Sequence, residues 1–281
     1  MKKRGSTIIL LVVLLAGLSL LLYPKFSDWW NSFHQSRAIM DYTEVVANLD
    51  QEEYDRIMSN AKAYNDEWTK KGKPGALTYE QRVSYQSQLD PGGTGIMGTI
   101  DIPSIDCHLP IYHGTNEAVL QIAVGHIDWT ALPVGGEGTH SVLSGHRGLP
   151  NARLFTDIDK LVVGDLFRMN ILGETLTYEV DQINIVLPED TQFLMPVPGQ
   201  DLCTLVTCTP YGVNTHRLLV RGHRVANEVI EDPGRVTADG VQIAPVVVAP
   251  IVGVPLLAVM MAAQLIGDRR RRGEDWDDDD L

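Results

Sequence analysis

Basic charge is what this chain is short of. Its 281 residues carry 23 lysines and arginines against 36 aspartates and glutamates, a net charge of −13. A nucleic-acid-binding protein needs a basic face to neutralise phosphates, so that class of partner is excluded. Part of the acidity is local: Glu274, Asp275 and Asp277 to Asp280 form a tail that reads as solvated and disordered. Cysteine is scarce too, at three, which is no disulfide framework. Cys203 and Cys208 lie five apart in one run of strand character, which sends them to opposite faces. Cys107 follows a proline-broken apolar stretch and reads as a small buried residue. No pair has metal-ligand spacing and the eight histidines do not cluster with the cysteines, so neither a metal nor another cofactor is expected. There is no internal repeat and no glycine-rich nucleotide loop.

Long apolar runs, by contrast, are present twice. Thr7 to Tyr23 is apolar apart from serine and glycine and follows Lys2, Lys3 and Arg4. Seventeen residues at about 1.5 Å each span roughly 25 Å, at the short end for a membrane helix. A cleaved signal peptide is the competing reading. The flank Leu21-Leu22-Tyr23-Pro24-Lys25 lacks an Ala-x-Ala site, and Trp29-Trp30 suit an interfacial position, which favours a retained anchor. Val241 to Ile266 is uncharged over 26 residues, although Pro245, Pro250 and Pro255 weaken it as a helix. Arg269 to Arg272 follow it, and basic flanks stay cytoplasmic. Both termini are then expected inside, with residues 24 to 240 outside. A buried hydrophobic tail is the bland alternative for the second run.

Between the two runs there is length enough for one main domain with appendages. Residues 36 to 69 read as helix, with apolar stripes Tyr42, Val46, Leu49 and Ile57, Ala61, Tyr64, Trp68, and an Asp50/Glu53 restart between them. Lys70 to Thr78 reads as a loop. From Gly95 to Val225 short β runs alternate with Gly and Pro: Met97 to Ile102, Leu109 to Tyr112, Ser141 to Leu143, Leu166 to Leu172, Leu176 to Leu187, Leu202 to Cys208 and Leu218 to Gly222. Asn116 to Val124 and Ala152 to Leu161 read as short helices. Closing such a chain into a barrel removes its unpaired edges.

The chemistry concentrates at Thr204-Leu205-Val206-Thr207-Cys208-Thr209-Pro210-Tyr211-Gly212. Period-two alternation makes it a strand, and Pro210 stops the ladder just after Cys208. His216-Arg217-Leu218-Leu219-Val220-Arg221 returns antiparallel and brings Arg217 alongside the thiol. Ser141 to Gly148 reads as a strand ending at His146. A thiol is mostly protonated at neutral pH unless positive charge adjoins it. His146 can exchange a proton with it, and the fixed fork of Arg217 can stabilise an oxyanion. Taken singly, each has a blander reading: buried thiol, loop histidine, surface ion pair. Arg221, four residues on, shares the face of Arg217 and is its rival. Arg224 reads as structural.

These residues resemble the sortases, membrane-anchored cysteine transpeptidases of Gram-positive bacteria. The runs Gly95 to Pro103, Leu109 to Gly114, Leu132 to Gly136, His146-Arg147-Gly148-Leu149-Pro150 and Asn214 to Arg224 resemble the pilin-polymerising branch, class C. The likeness covers roughly residues 60 to 225. It implies a mainly β fold, a closed eight-stranded sortase barrel with N-terminal helices and two flanking transmembrane helices. The expected divisions are 1–6 cytoplasmic, 7–23 signal anchor, 24–94 extracellular helical and lid region, 95–226 catalytic barrel, 227–240 linker, 241–266 second span and 267–281 cytoplasmic tail. It also implies Cys208 as nucleophile, His146 as acid/base and Arg217 as oxyanion stabiliser. The implied substrate is a secreted pilin or surface protein bearing a Leu-Pro-x-Thr-Gly-like signal. The implied acceptor is a pilin lysine, or a cell-wall precursor amine if the enzyme is of the housekeeping type. An inactive, membrane-tethered β-domain that binds surface proteins is the alternative outside catalysis.

Two departures stand out. Alanine is more usual just before the histidine than Ser144-Gly145. The Asp-Pro-aromatic motif that plugs class C active sites is missing: Asp90-Pro91 is followed by Gly92 and lies too close to the barrel. The Lys70 to Thr78 loop is expected to cross the cleft without such a plug.

Overall fold

The computed structural model describes residues 2–71 and 77–227. The second expected span at 241–266, most of its linker, the acidic tail and the tip of the Lys70–Thr78 loop lie outside the described residues.

Eight strands close into a barrel: β1 (Ile96–Ile102), β2 (Cys107–His113), β3 (Val124–His126), β4 (Thr139–Ser144), β5 (Leu166–Ile171), β6 (Glu174–Val186), β7 (Asp201–Thr209) and β8 (His216–Val225). Their order around the barrel is β1-β2-β3-β4-β7-β8-β6-β5, with β5 returning to β1. Closure leaves no edge strand exposed. The β2–β3 and β4–β7 pairs are parallel and the rest antiparallel. Alternation along each strand fills the interior: Ile100, Ile111, Leu143, Phe167, Tyr178, Leu205 and Val220 are buried, and Phe167 stacks on Tyr178 at 5.5 Å. At Gly222 a Cβ would sit 2.7 Å from the Phe167 ring, so this β8 position has room for glycine alone.

Two features depart from the sequence expectation. Val124–His126 forms β3, where the apolar spacing predicts the end of a helix; the helix itself, α4, is one turn, Glu117–Leu120. Ala152–Leu161 is not a helix. Its helix-spaced Leu154, Phe155, Ile158 and Leu161 are all buried, but Leu154 adopts φ 39°, and only Ile158–Lys160 makes a 3-10 turn. A left-handed leucine breaks the helical ladder.

N-terminal to the barrel, α1 (Lys2–Ala47) and α2 (Gln51–Lys71) form the expected helical segment. Asp50 Oδ1 accepts the Glu53 amide at 2.8 Å, the restart expected from the sequence. Tyr42, Ile57 and Ala61 are buried against the barrel. Tyr42 Oη donates to Met97 O and accepts the Leu172 amide, both at 3.0 Å. Asn65 holds both backbone groups of Leu132, at 2.7 and 3.0 Å. A third helix, α3 (Tyr79–Gln86), is opened by a Thr78/Gln81 capping box. Among the described residues one helix is long and apolar enough to cross a membrane, within Val12–Ala47.

Two buried histidines pin the connections. His126 Nε2 faces Ala131 O at 2.8 Å and must donate there, which leaves Nδ1 to accept from Tyr85 Oη at 2.9 Å. His140 Nδ1 faces Met195 O at 3.0 Å and Nε2 accepts from Thr204 Oγ1 at 2.7 Å. Burial lowers both rings from the ordinary 6.5 to about 4. The folded state therefore binds fewer protons than the unfolded chain between those values, and stability rises with pH across that window. Denaturant unfolding of the chain is expected to give full stability above about pH 6.5 and a progressive loss toward about pH 4. A flat profile over that range would mean that these rings are not held neutral.

Candidate functional site

The parallel pairing of β4 with β7 sets the site. Their register runs from Thr139↔Asp201 to Ser144↔Val206. His146 and Cys208 each lie two residues beyond the last pair, so they emerge level with one another. The Gly145 amide donates to Val206 O at 3.1 Å, and Thr207 Oγ1 donates to Gly145 O at 2.8 Å, which carries the register past the strand end. Glycine is needed at 145 because a Cβ there would lie 2.8 Å from the Phe155 ring. Phe155 in turn donates its amide to His146 O at 3.1 Å. The departure at Ser144-Gly145 thus has a packing cause.

Along β7 the thiols divide as the sequence spacing predicts. Cys203 points into the barrel and Cys208 outward, half-buried. Burial pushes the thiol of Cys107 up to about 12 and that of Cys203 well above its ordinary value. Neither can supply a thiolate at neutral pH. Cys208 is the one thiol of the three that is open to solvent.

Beside it, β8 places Arg217 opposite Cys208 in an antiparallel pair, and β6 places Val186 opposite Arg217. Directly paired residues share a face. The Arg217 Nη1 donates to Asn214 O at 3.2 Å and His216 O at 3.1 Å, which folds the guanidinium over the turn. Its Nε and Nη2 have no hydrogen-bond partner among the described residues. The rival Arg221 shares the face, but its fork is engaged by Asp181: Nε to Oδ1 and Nη2 to Oδ2, both 2.9 Å. Arg224 lies over the Tyr178 ring at 5.7 Å and near Asp201 at 4.0 Å. Both of these arginines are structural ties, as expected of Arg224.

Behind Cys208 the outward row continues as Val206 and Thr204, and both are buried. The β6–β7 connection roofs them. Its Leu194 joins Val142, Val186, Val206 and Leu219 in a second apolar cluster, with Ile127, Trp129 and Phe193 packed on it. His140 ties this roof to the strands through Met195 O. The result is an apolar floor that ends at a half-exposed thiol flanked by an arginine and a histidine.

The sortase-domain family profile matches residues 100–225 of this chain. Sortase D of Bacillus subtilis (strain 168) is 32% identical over 154 residues, which is 54% of this chain and 75% of that protein. The chain belongs to the sortase family. Members of that family are cysteine transpeptidases. Among solved structures, sortase C1 of Streptococcus agalactiae is 55% identical, with a TM-score of 0.67 over 68% of this chain and 100% of that one. Clostridium perfringens sortase C, solved with the C-terminal cell wall sorting motif, is 42% identical, with a TM-score of 0.60 over 68% and 100% of the two chains.

Around the two ends of this sortase's site are contacts that sequence reading missed. Glu117 Oε2 lies 3.8 Å from His146 Nε2. Its other oxygen accepts from Gln121 Nε2 at 2.5 Å, one helical turn on. The pair is 29 residues apart in the chain, and no local pattern announces it. Arg147 clamps the histidine loop to the turn after Cys208: Nη2 meets Asp159 at 2.5 Å, and the guanidinium lies 5.8 Å over the Tyr211 ring. Tyr211 also closes on Gly148, where φ is 79° and a Cβ would come within 2.9 Å of the ring. Gly212 has a similar φ of 74° with nothing within 4 Å. A left-handed alanine costs about 1–2 kcal/mol at either position. Gly148→Ala is expected to cost more than Gly212→Ala in denaturant unfolding, because it adds the clash. Equal losses would show that Tyr211 is not fixed against the histidine loop.

Proposed function

We propose that this sortase is a class C-type enzyme that joins pilin subunits, with Cys208 as nucleophile, His146 as acid/base and Arg217 as oxyanion stabiliser. The observation that carries the roles is the shared strand end: Cys208 opposite Arg217, and His146 at the same level on the parallel neighbour. The likeness to S. agalactiae sortase C1 over the whole of that chain supports the class.

The chemistry follows from the positions. The Cys208 thiolate attacks the threonine carbonyl carbon of a Leu-Pro-x-Thr-Gly-type signal. The negative charge that develops on the carbonyl oxygen meets the guanidinium, which needs only to swing its unengaged nitrogens from the turn. Collapse breaks the Thr–Gly bond, His146 gives a proton to the departing amine, and an acyl thioester remains. A lysine amine of another pilin then attacks the thioester, giving up its proton as the isopeptide bond forms and the thiol leaves. Glu117 Oε2, 3.8 Å from His146 Nε2, lies beside the ring that hands a proton to the departing amine.

Residues 60–94 contain no Asp-Pro-aromatic run. No hydrogen bond or ion pair joins the described residues 77–94 to Cys208 or Arg217. We therefore read the site as unplugged. Tyr85 and Leu89 are core residues, so a test must spare α3 and remove residues 72–76 alone. Cys208 is expected to react readily with a small disulfide reagent, with little acceleration on that deletion. Slow labelling relieved by the deletion would contradict an open thiol.

Variants test the roles. Cys208→Ala is expected to abolish signal cleavage and fibre formation, while Cys107→Ala and Cys203→Ala stay active. Arg217→Lys keeps the charge but loses the fork, and is expected to lower kcat/KM on the order of 100-fold. Arg221→Lys should act mainly on stability. Cleavage with wall anchoring but no fibres would move the assignment to the housekeeping type. Turnover by Cys208→Ala would overturn the mechanism.

A further inference from the structure

The strand directions put one end of the barrel at the site. The β1–β2 turn, the start of β3, the ends of β4, β6 and β7 and the start of β5 all lie there, by their register. Of the large hydrophobic side chains in residues 96–227, those at least half exposed are Val162, Val163, Ile185, Leu187, Tyr211 and Val213. Each belongs to this end: just before β5, at or just past the end of β6, or in the β7–β8 turn. The other end carries none of them. Exposed apolar residues gathered on one face mark a contact surface rather than scatter.

The docking of α1 says what that surface meets. Asp28 Oδ1 accepts the Arg153 amide at 3.0 Å, Asn31 Nδ2 donates to Asn151 O at 2.7 Å, and Gln35 Nε2 donates to Ile122 O at 2.7 Å. All three partners are loop residues of the site end. Tyr42, further along the helix, reaches Leu172 at the opposite end. The helix therefore leaves the barrel toward its N-terminus at the site end. On the opposite face of the same turns Phe26, Trp29, Trp30 and Phe33 are more than half exposed, an interfacial aromatic belt. From Tyr23, the last residue of the apolar run, to Asp28 the helix rises only about 7.5 Å.

We infer that the site end of the barrel rests on the lipid headgroups, so that the cleft holding Cys208 opens at the membrane surface. The barrel hangs from its anchor by the loops that carry the site, with Val163 and Val213 dipping into the interface. The partner is the bilayer surface itself. A substrate reaches the thiol while its cleavage site lies close to the membrane. This rests on reading α1 as a membrane span.

The full chain in phosphatidylcholine–phosphatidylglycerol vesicles provides the test. In a Cys208→Ala background, with Cys107 and Cys203 buried, an environment-sensitive fluorophore is placed at Val163→Cys, Val213→Cys or Glu137→Cys. Glu137 is exposed at the opposite end, beside the start of β4. Nitroxide on the lipid headgroup is expected to quench the labels at 163 and 213 at least twofold more than the label at 137. Inserting seven residues, two helical turns, between Lys25 and Phe26 lifts the barrel by about 10 Å, and should remove that excess. Vesicle flotation with equal quenching at all three positions would overturn the inference while leaving the anchor intact. Failure to float with the vesicles would overturn the anchor and the inference with it.

Discussion

The pairing of β4 with β7 is the constraint on which the rest of this molecule depends. A parallel pair cannot be joined by a tight turn, so 56 residues separate Ser144 from Asp201. That interval holds the histidine loop, the β5–β6 hairpin and the roof of the cleft. Because both strands run the same way, both end on the same side, and two residues far apart in sequence emerge together. The β7–β8 hairpin then adds the arginine by simple antiparallel pairing. Cys208 and Arg217 are held by the β7–β8 ladder, and His146 follows two residues beyond the end of β4.

The outer face of the same strands explains why the site is a cleft. A sheet face with Val142, Val206 and Leu219 on it would be unstable in water. The chain covers it with Leu194 and Phe193 of the β6–β7 connection and leaves Cys208 uncovered at the rim. His140 holds that roof through a ring that burial keeps neutral. Arg147, Tyr211 and Gly148 perform the matching service for the loop on the other side. Stability of the roof and geometry of the site are thus one problem, and acid acts on both.

What could be read from the sequence was whatever depends on local period. Alternation in Leu202 to Cys208 separates an inward Cys203 from an outward Cys208, and the returning Arg217 follows from a hairpin. The choice of Arg217 over Arg221 comes from the family resemblance and not from periodicity, since both share a face; the partner that engages Arg221, Asp181, is 40 residues away and on another strand. Strand β3 was hidden because three residues, buried throughout, show no alternation and abut an apolar spacing of helical type. Leu154 misled in the opposite sense: a helical period with a left-handed residue inside it packs its apolar groups without forming a helix. The Thr78/Gln81 capping box that opens α3 is a local signal that sequence reading missed, since Thr78 reads there as the end of a loop. Glu117 beside His146 carries no local signal at all.

The central claim is that Cys208 forms a covalent thioester with the threonine of a sorting signal. Intact-mass measurement of the chain mixed with a Leu-Pro-x-Thr-Gly peptide, without an acceptor amine and quenched in acid, tests it directly. The account predicts a mass gain equal to the peptide lacking its glycine portion and one water, mapped to Cys208 and discharged by added amine. Peptide cleavage with no adduct at Cys208, or an adduct on Cys107 or Cys203, would contradict it.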